Sequence, residues 1–100
     1  MKEFTQDIIF WRDEDGRPQT NIHIRKERIH SPDGINFGYS GSGPAEFAYQ
    51  ILLYFLDKEQ AYCFHQDFKT FFISGAPEEG GTIKNSDIVK WIEDKQKMEE

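Results

Sequence analysis

The hydrophobic rhythm of the chain changes from strand-like to helical near residue 40. Residues 5 to 12, Thr-Gln-Asp-Ile-Ile-Phe-Trp-Arg, form a β-branched and aromatic run that predicts a strand. Asp13-Glu14-Asp15-Gly16-Arg17-Pro18 carries turn chemistry. From Thr20 to Ile29, Ile22 and Ile24 alternate with Asn21, His23 and Arg25, which predicts a second strand hairpin-paired with the first. Its later half, Arg25-Lys26-Glu27-Arg28, is too polar for a central position and belongs at an edge or in solvent. Ser31-Pro32-Asp33-Gly34 reads as a turn, and the alternation over Ile35 to Tyr39 predicts a short third strand.

Pro44 to Leu56 has the clearest helical pattern, with Ala48, Ile51, Leu52 and Phe55 on one face. Gly43 is the expected N-cap, Pro44 fits the first helical position, and Glu46 falls near the capping-box position. Phe47, Tyr49, Leu53, Tyr54 and Leu56 cover the other faces, so this helix is buried on several sides or lies in an interface. Glu59 to Ser74 places Tyr62, Phe64, His65, Phe68, Phe71 and Phe72 at helical spacing and predicts a helix with a frayed end. Thr70 to Ile73 taken alone is also compatible with a strand. Gly75-Ala76-Pro77 stops the element and Glu78-Glu79-Gly80-Gly81 is an expected loop. Asn85 caps a last predicted helix from Ser86 to about Lys97, docked through Ile88, Trp91 and Ile92. The fold class is α+β: a small antiparallel sheet, the N-terminal hairpin plus a short third strand, packed on three helices. It forms one domain over 1–100, with 1–3 and 98–100 expected to fray.

Composition sharpens this picture. Hydrophobic residues make up only 37% of the 100 residues, but 15% are aromatic, nine of them Phe, so the core should be small and ring-rich. The formal net charge of -6 argues against a duplex nucleic-acid partner, which calls for a basic footprint. A single cysteine, Cys63, excludes an internal disulfide and points to a reducing compartment. The N-terminus has no apolar signal core, and the longest apolar run, Ile51 to Leu56, is too short for a bilayer. A cytoplasmic protein without membrane partners is expected.

The sharpest local feature is Tyr39-Ser40-Gly41-Ser42-Gly43 at the start of the apolar helix. Glycines leave backbone N–H groups bare and a helix N-terminus attracts anions, so a phosphate could sit there with help from the Ser40 and Ser42 hydroxyls. Pro44 removes one donor and Glu46 adds a competing charge, and a tight turn feeding a buried helix explains the same residues. The run lacks the Gly-Lys-Ser/Thr of a P-loop, the third glycine of a dinucleotide fingerprint and the glycine spacing of a nucleophile elbow. His23, Arg25, Lys26, Arg28 and His30 form a basic stripe in an acidic chain. It is either a solvated edge or half of a polyanion site shared with the glycine run, with Trp11, Tyr39 or Tyr49 stacking on a base. His23, His30, His65 and Cys63 show no metal-ligand spacing, and Cys63, between Tyr62 and Phe64, reads as a buried inert thiol.

His30 to Ala48, from His-Ser-Pro-Asp-Gly to Gly-Ser-Gly-Pro-Ala-Glu-Phe-Ala, resembles the signature of a small uncharacterised family found in bacterial and phage genomes. His65-Gln66-Asp67-Phe68-Lys69 and Ile88-Val89-Lys90-Trp91-Ile92 resemble its later patches, so the likeness spans about 22 to 93. Ser40 stands where the family usually has Gly, and Phe37 where it commonly has Trp. The resemblance implies a bacterial or phage setting, and the host cytoplasm if the gene is a phage's, but no mechanism.

No catalytic constellation is complete, so a binding protein is expected, with no catalytic residue, cofactor or metal. The candidate ligand-binding residues are Tyr39, Ser40, Gly41, Ser42, Gly43, Arg25, Arg28 and His30, for a phosphate-bearing, nucleotide-like molecule. The alternative is a protein-interaction module or homodimer using the apolar face of helix 44–56 and the acidic surface, for example an inhibitor of a host defence protein. A hydrolase using Ser42 or His30 is the remaining class.

Overall fold

The computed structural model describes residues 1–26, 28–30 and 34–99. Strand β1 (Ile8–Arg12) is central, flanked by β2 (Pro18–Thr20) and β3 (Gly80–Ile83), both antiparallel to it. Phe10 faces Thr20 on one side and Gly81 on the other. Helix α1 (Ser42–Leu52) packs on α2 (Lys58–Phe68), which runs into a π-helical turn (Lys69–Ile73), and α3 (Asn85–Glu99) closes the chain. This is the expected α+β class, a three-stranded antiparallel sheet with three helices.

Alternation along β1 puts Ile8 and Phe10 inside and Ile9 and Trp11 outside. The Phe10 ring meets Phe37 and Phe47 edge-on, at 4.7 and 5.6 Å between centroids, and so joins the sheet to α1. On the far side of the helical layer Trp91 of α3 stands edge-on to Phe64 and Phe68, at 6.3 and 5.3 Å. The N-terminal segment is tied across this core. Lys2 N donates to Phe55 O and its Nζ to Leu53 O, which places a cation where α1 presents its last carbonyls. Residues 1–3, expected to fray, thus include a residue with two backbone partners. At the other end α3 runs to Glu99.

The third strand is not at 35–39. That segment has other backbone partners: Asn36 N donates to Gly43 O and Gly38 N to Ile73 O, and Gly38 has φ +84, which breaks an extended run. The sheet takes instead Gly80 and Gly81, the end of the stretch expected to be a loop, together with Thr82 and Ile83. β3 begins at Gly80, where an added Cβ would lie 2.3 Å from Phe10 O, so only a bare backbone comes this close to β1. The second strand, expected over 20–29, is displaced to Pro18–Thr20 and shares only Thr20 with that expectation. β2 ends at Thr20, and the described residues from Asn21 to His30 run irregularly across α1. Of the turn expected at 31–34, residues 31–33 lie outside the described residues, as does Glu27 within the polar stretch.

α1 starts two residues before the expected Pro44, with Gly41 as N-cap, and ends at Leu52. Glu46 is therefore past the capping-box position and sits in the interior. Thr70 to Ile73 is helical, not strand: the π-turn adds one residue to the turn after Phe68, so Ile73 takes the next buried position and Phe71 swings outward. Cys63 lies on the outer face of α2 and is exposed, because that helix buries Ala61, Phe64, His65 and Phe68 instead.

Gly80→Ala should cost about 3 kcal/mol or more, from the overlap with Phe10 O and from φ +123. Gly75→Ala, which meets nothing within 4 Å, should stay within about 0.5 kcal/mol. Urea denaturation of the two variants checks the contrast.

Candidate functional site

Two polar side chains, Glu46 and Gln50, stand one turn apart on the buried helix α1, and both are fully buried. Burial of such groups is tolerable only with partners. Glu46 Oε1 accepts from the backbone N–H groups of Ile29 and His30, at 2.8 and 2.9 Å. Glu46 Oε2 accepts from Gln50 Nε2 at 3.0 Å, and Gln50 Oε1 accepts from Arg25 N at 3.0 Å. A segment without a strand partner is thus held by side chains that imitate one. Tyr54 continues the ladder: its hydroxyl donates to His23 O at 2.6 Å, and the Arg25 guanidinium lies 4.6 Å from its ring centroid.

This anchoring turns His30 inward. Its Nε2 lies 2.7 Å from Nε2 of His65 on α2. His65 Nδ1 contacts Tyr62 O, a pure acceptor, so Nδ1 carries the proton. His65 Nε2 is then a lone pair, and His30 Nε2–H is the donor. Burial holds the His65 pKa below its ordinary 6.5, and the neighbouring His30 and Lys69 act in the same direction, against the Tyr62 carbonyl and Glu46. Among the described residues no hydroxyl or thiol is hydrogen-bonded to either ring, and Ser42 and Cys63 are exposed elsewhere. The pair is a tie between the 21–30 segment and α2.

The glycine run is filled by the chain itself. A Cβ at Gly41 would lie 2.8 Å from Tyr39 Cε2, and one at Gly43 would lie 2.6 Å from Asn36 Cβ. The two glycines therefore make room for Tyr39 and Asn36, and Ser40 and Ser42 remain on the surface. Beside Tyr39 a cleft of about 650 Å³ holds Arg12 and Glu78. The Arg12 guanidinium is already engaged with Glu78 O, Gly16 O, Asn36 Oδ1 and Phe37 O, and it lies over the Phe37 ring.

A second cleft, of about 570 Å³, opens where the segment leaves β2. Arg17 and Arg28 supply its charge, Gln19 and Thr20 its neutral polar groups, and Ile22, Ile24 and Ile35 an apolar wall. Arg28 lies against Gly34, so close that a Cβ there would be 3.2 Å from Nη1. No carboxylate is among the described residues that line it.

The basic stripe is thus dispersed. Arg25 stacks on Tyr54, Arg28 lines the cleft, His30 faces His65, and His23 and Lys26 are exposed. Of the three aromatics expected to stack on a base, Trp11 and Tyr39 are exposed and Tyr49 is buried. Arg17 reads in sequence as an ordinary turn residue, and His65 only as part of a helix pattern and a histidine without metal-ligand spacing. Sequence reasoning also gave Glu46 a surface role, although two polar residues four apart on an otherwise apolar helix were a usable signal.

The fold and this cluster define a small α+β domain whose irregular segment is pinned to its central helix by a buried acid–amide pair. The chain belongs to a family of unknown function, DUF6166, whose model matches residues 3–94. No curated protein and no solved structure matches it.

Glu46→Ala would leave the Ile29 and His30 N–H groups without their acceptor and should cost roughly 3 kcal/mol or more in chemical denaturation. Glu46→Gln keeps one acceptor oxygen and should cost less. His65 gives a pH dependence of definite sign. Below the ordinary 6.5 the unfolded chain's imidazole binds a proton that the folded chain does not, so stability falls as pH drops from 6.5 towards the lowered folded value. The slope from this group is at most about 1.4 kcal/mol per pH unit. The difference between wild type and His65→Gln, measured from about pH 5 to 8, should follow that course.

Proposed function

We propose that the domain is a binding protein for a phosphate-bearing small molecule, held in the cleft between β2 and the 22–35 segment. The observation that carries this is the pairing of Arg17 and Arg28 in one cleft with no carboxylate among its described lining residues. Guanidinium groups bind phosphate oxygens in bidentate geometry. Gln19 and Thr20 suit the hydroxyl and amide groups of a nucleotide-like ligand, and the isoleucine wall suits the flat apolar side of its base. The cleft beside Tyr39 is a poorer candidate, since its arginine is committed to protein oxygens and Glu78 shares the space. The Gly41–Gly43 backbone is a poorer one too, because Tyr39 and Asn36 occupy the approach. The setting we propose is the bacterial cytoplasm, or the host's if the gene belongs to a phage, where such a protein would sequester a nucleotide signal.

Thermal shift against nucleotides, cyclic nucleotides and inorganic phosphate tests this. A ligand at 100 times its Kd adds about 2.7 kcal/mol, a shift of roughly ten degrees or more for a domain of this size. Arg17→Glu and Arg28→Glu should each remove the shift while leaving the unliganded melting temperature nearly unchanged. No shift with any of these ligands would overturn the proposal. A shift lost in Ser40→Ala/Ser42→Ala but kept in both arginine variants would move the ligand to the start of α1.

A further inference from the structure

Phe71 is 68% exposed on the π-turn, at a place where a regular helix would have turned another residue outward. Three adjoining recesses of about 340, 270 and 380 Å³ all meet at its ring. Phe72 lines the first two and Trp91 the first and third, both half-buried against the core. An exposed aromatic in such a setting marks a contact surface, since a partner that covers the ring removes a large apolar area from water.

We propose that this surface is where a second copy of the chain docks. Two features specify the occupant. The rim alternates in sign: along α3, Asp87, Lys90 and Asp94 face one recess, and Lys95 is paired with Asp67 at 2.6 Å in the next. A strongly acidic or strongly basic partner would meet like charges somewhere on this rim. A second copy carries the same alternation of sign, so a two-fold contact offers each Lys90 an aspartate of the other copy as partner. The second feature is β3. Among the described residues it has a strand neighbour on one side only, and Gly81, Thr82 and Ile83 border the recess beside Phe71. Its sequence, Gly-Gly-Thr-Ile, lacks the lysine or proline that usually guards an exposed edge, whereas the other edge strand opens with Pro18. A two-fold contact centred on Phe71 covers that edge in both copies. The apolar face for self-association is therefore not on α1, whose residues from Gly43 onward are buried within the chain.

Sedimentation equilibrium of the full chain, from about 10 μM to 1 mM, reads the outcome directly. The wild type should approach a dimer mass. Phe71→Glu should weaken association at least tenfold, Lys90→Glu should weaken it measurably, and Ile9→Glu, on the outer face of the sheet, should leave it unchanged. All three sites are on the surface, and thermal unfolding of each variant verifies that it is folded. A monomer mass across the range would overturn the proposal, even if a different protein bound this face. So would a dimer that survives Phe71→Glu in a folded protein.

Discussion

A carboxylate side chain buried on an otherwise apolar helix organises this domain. Glu46 accepts two backbone N–H groups from a segment that has no strand or helix of its own to satisfy them, and Gln50 accepts a third while donating to Glu46. Buried backbone donors left without partners cost free energy comparable to the bonds they lack. The path of the described residues at Arg25, Ile29 and His30 is therefore set by two side chains of α1. The position of Arg28 beside the β2 cleft and the approach of His30 to His65 both follow from that path.

The aromatic core supplies the rest. With few aliphatic residues, the chain uses edge-on ring contacts: Phe10 with Phe37 and Phe47 between sheet and helix, and Trp91 with Phe64 and Phe68 between the helices. Arg12 joins these layers at the surface, stacked on Phe37 and bonded to carbonyls of Gly16, Phe37 and Glu78. Stability and site share residues here. Phe37 is a core ring that also supports Arg12, and His65 is a packed imidazole that also fixes the orientation of His30.

The sequence pattern made the helices legible because their apolar spacing is strong: α1, α2 and α3 lie where it placed them, within a few residues. The sheet was less legible. β3 carries two glycines and no alternation, and its place is set by the close approach of Gly80 to Phe10 O, a tertiary contact that no local pattern encodes. Ile35 to Tyr39 has the alternation of a strand, yet Asn36 N donates to Gly43 O and Gly38 N to Ile73 O. The site was half legible. His30 and Arg28 were marked by charge and by the turn beside them. Arg17 looked like an ordinary turn residue, and Glu46 was drawn to the surface by a helix start misplaced by two residues. A start at Ser42 puts Glu46 in the interior, where its charge needs partners and does not compete with an anion at the helix end.

Amide hydrogen exchange by NMR on the wild-type protein tests the central claim most directly. Ile29 and His30 lie in an irregular, half-exposed segment, where amides without partners exchange within the fraying of a loop. If Glu46 holds them, both should exchange nearly as slowly as the amides of Phe47 to Ile51, and the Arg25 amide should follow through Gln50. Rapid exchange of Ile29 and His30 beside a well-protected α1 would contradict the account.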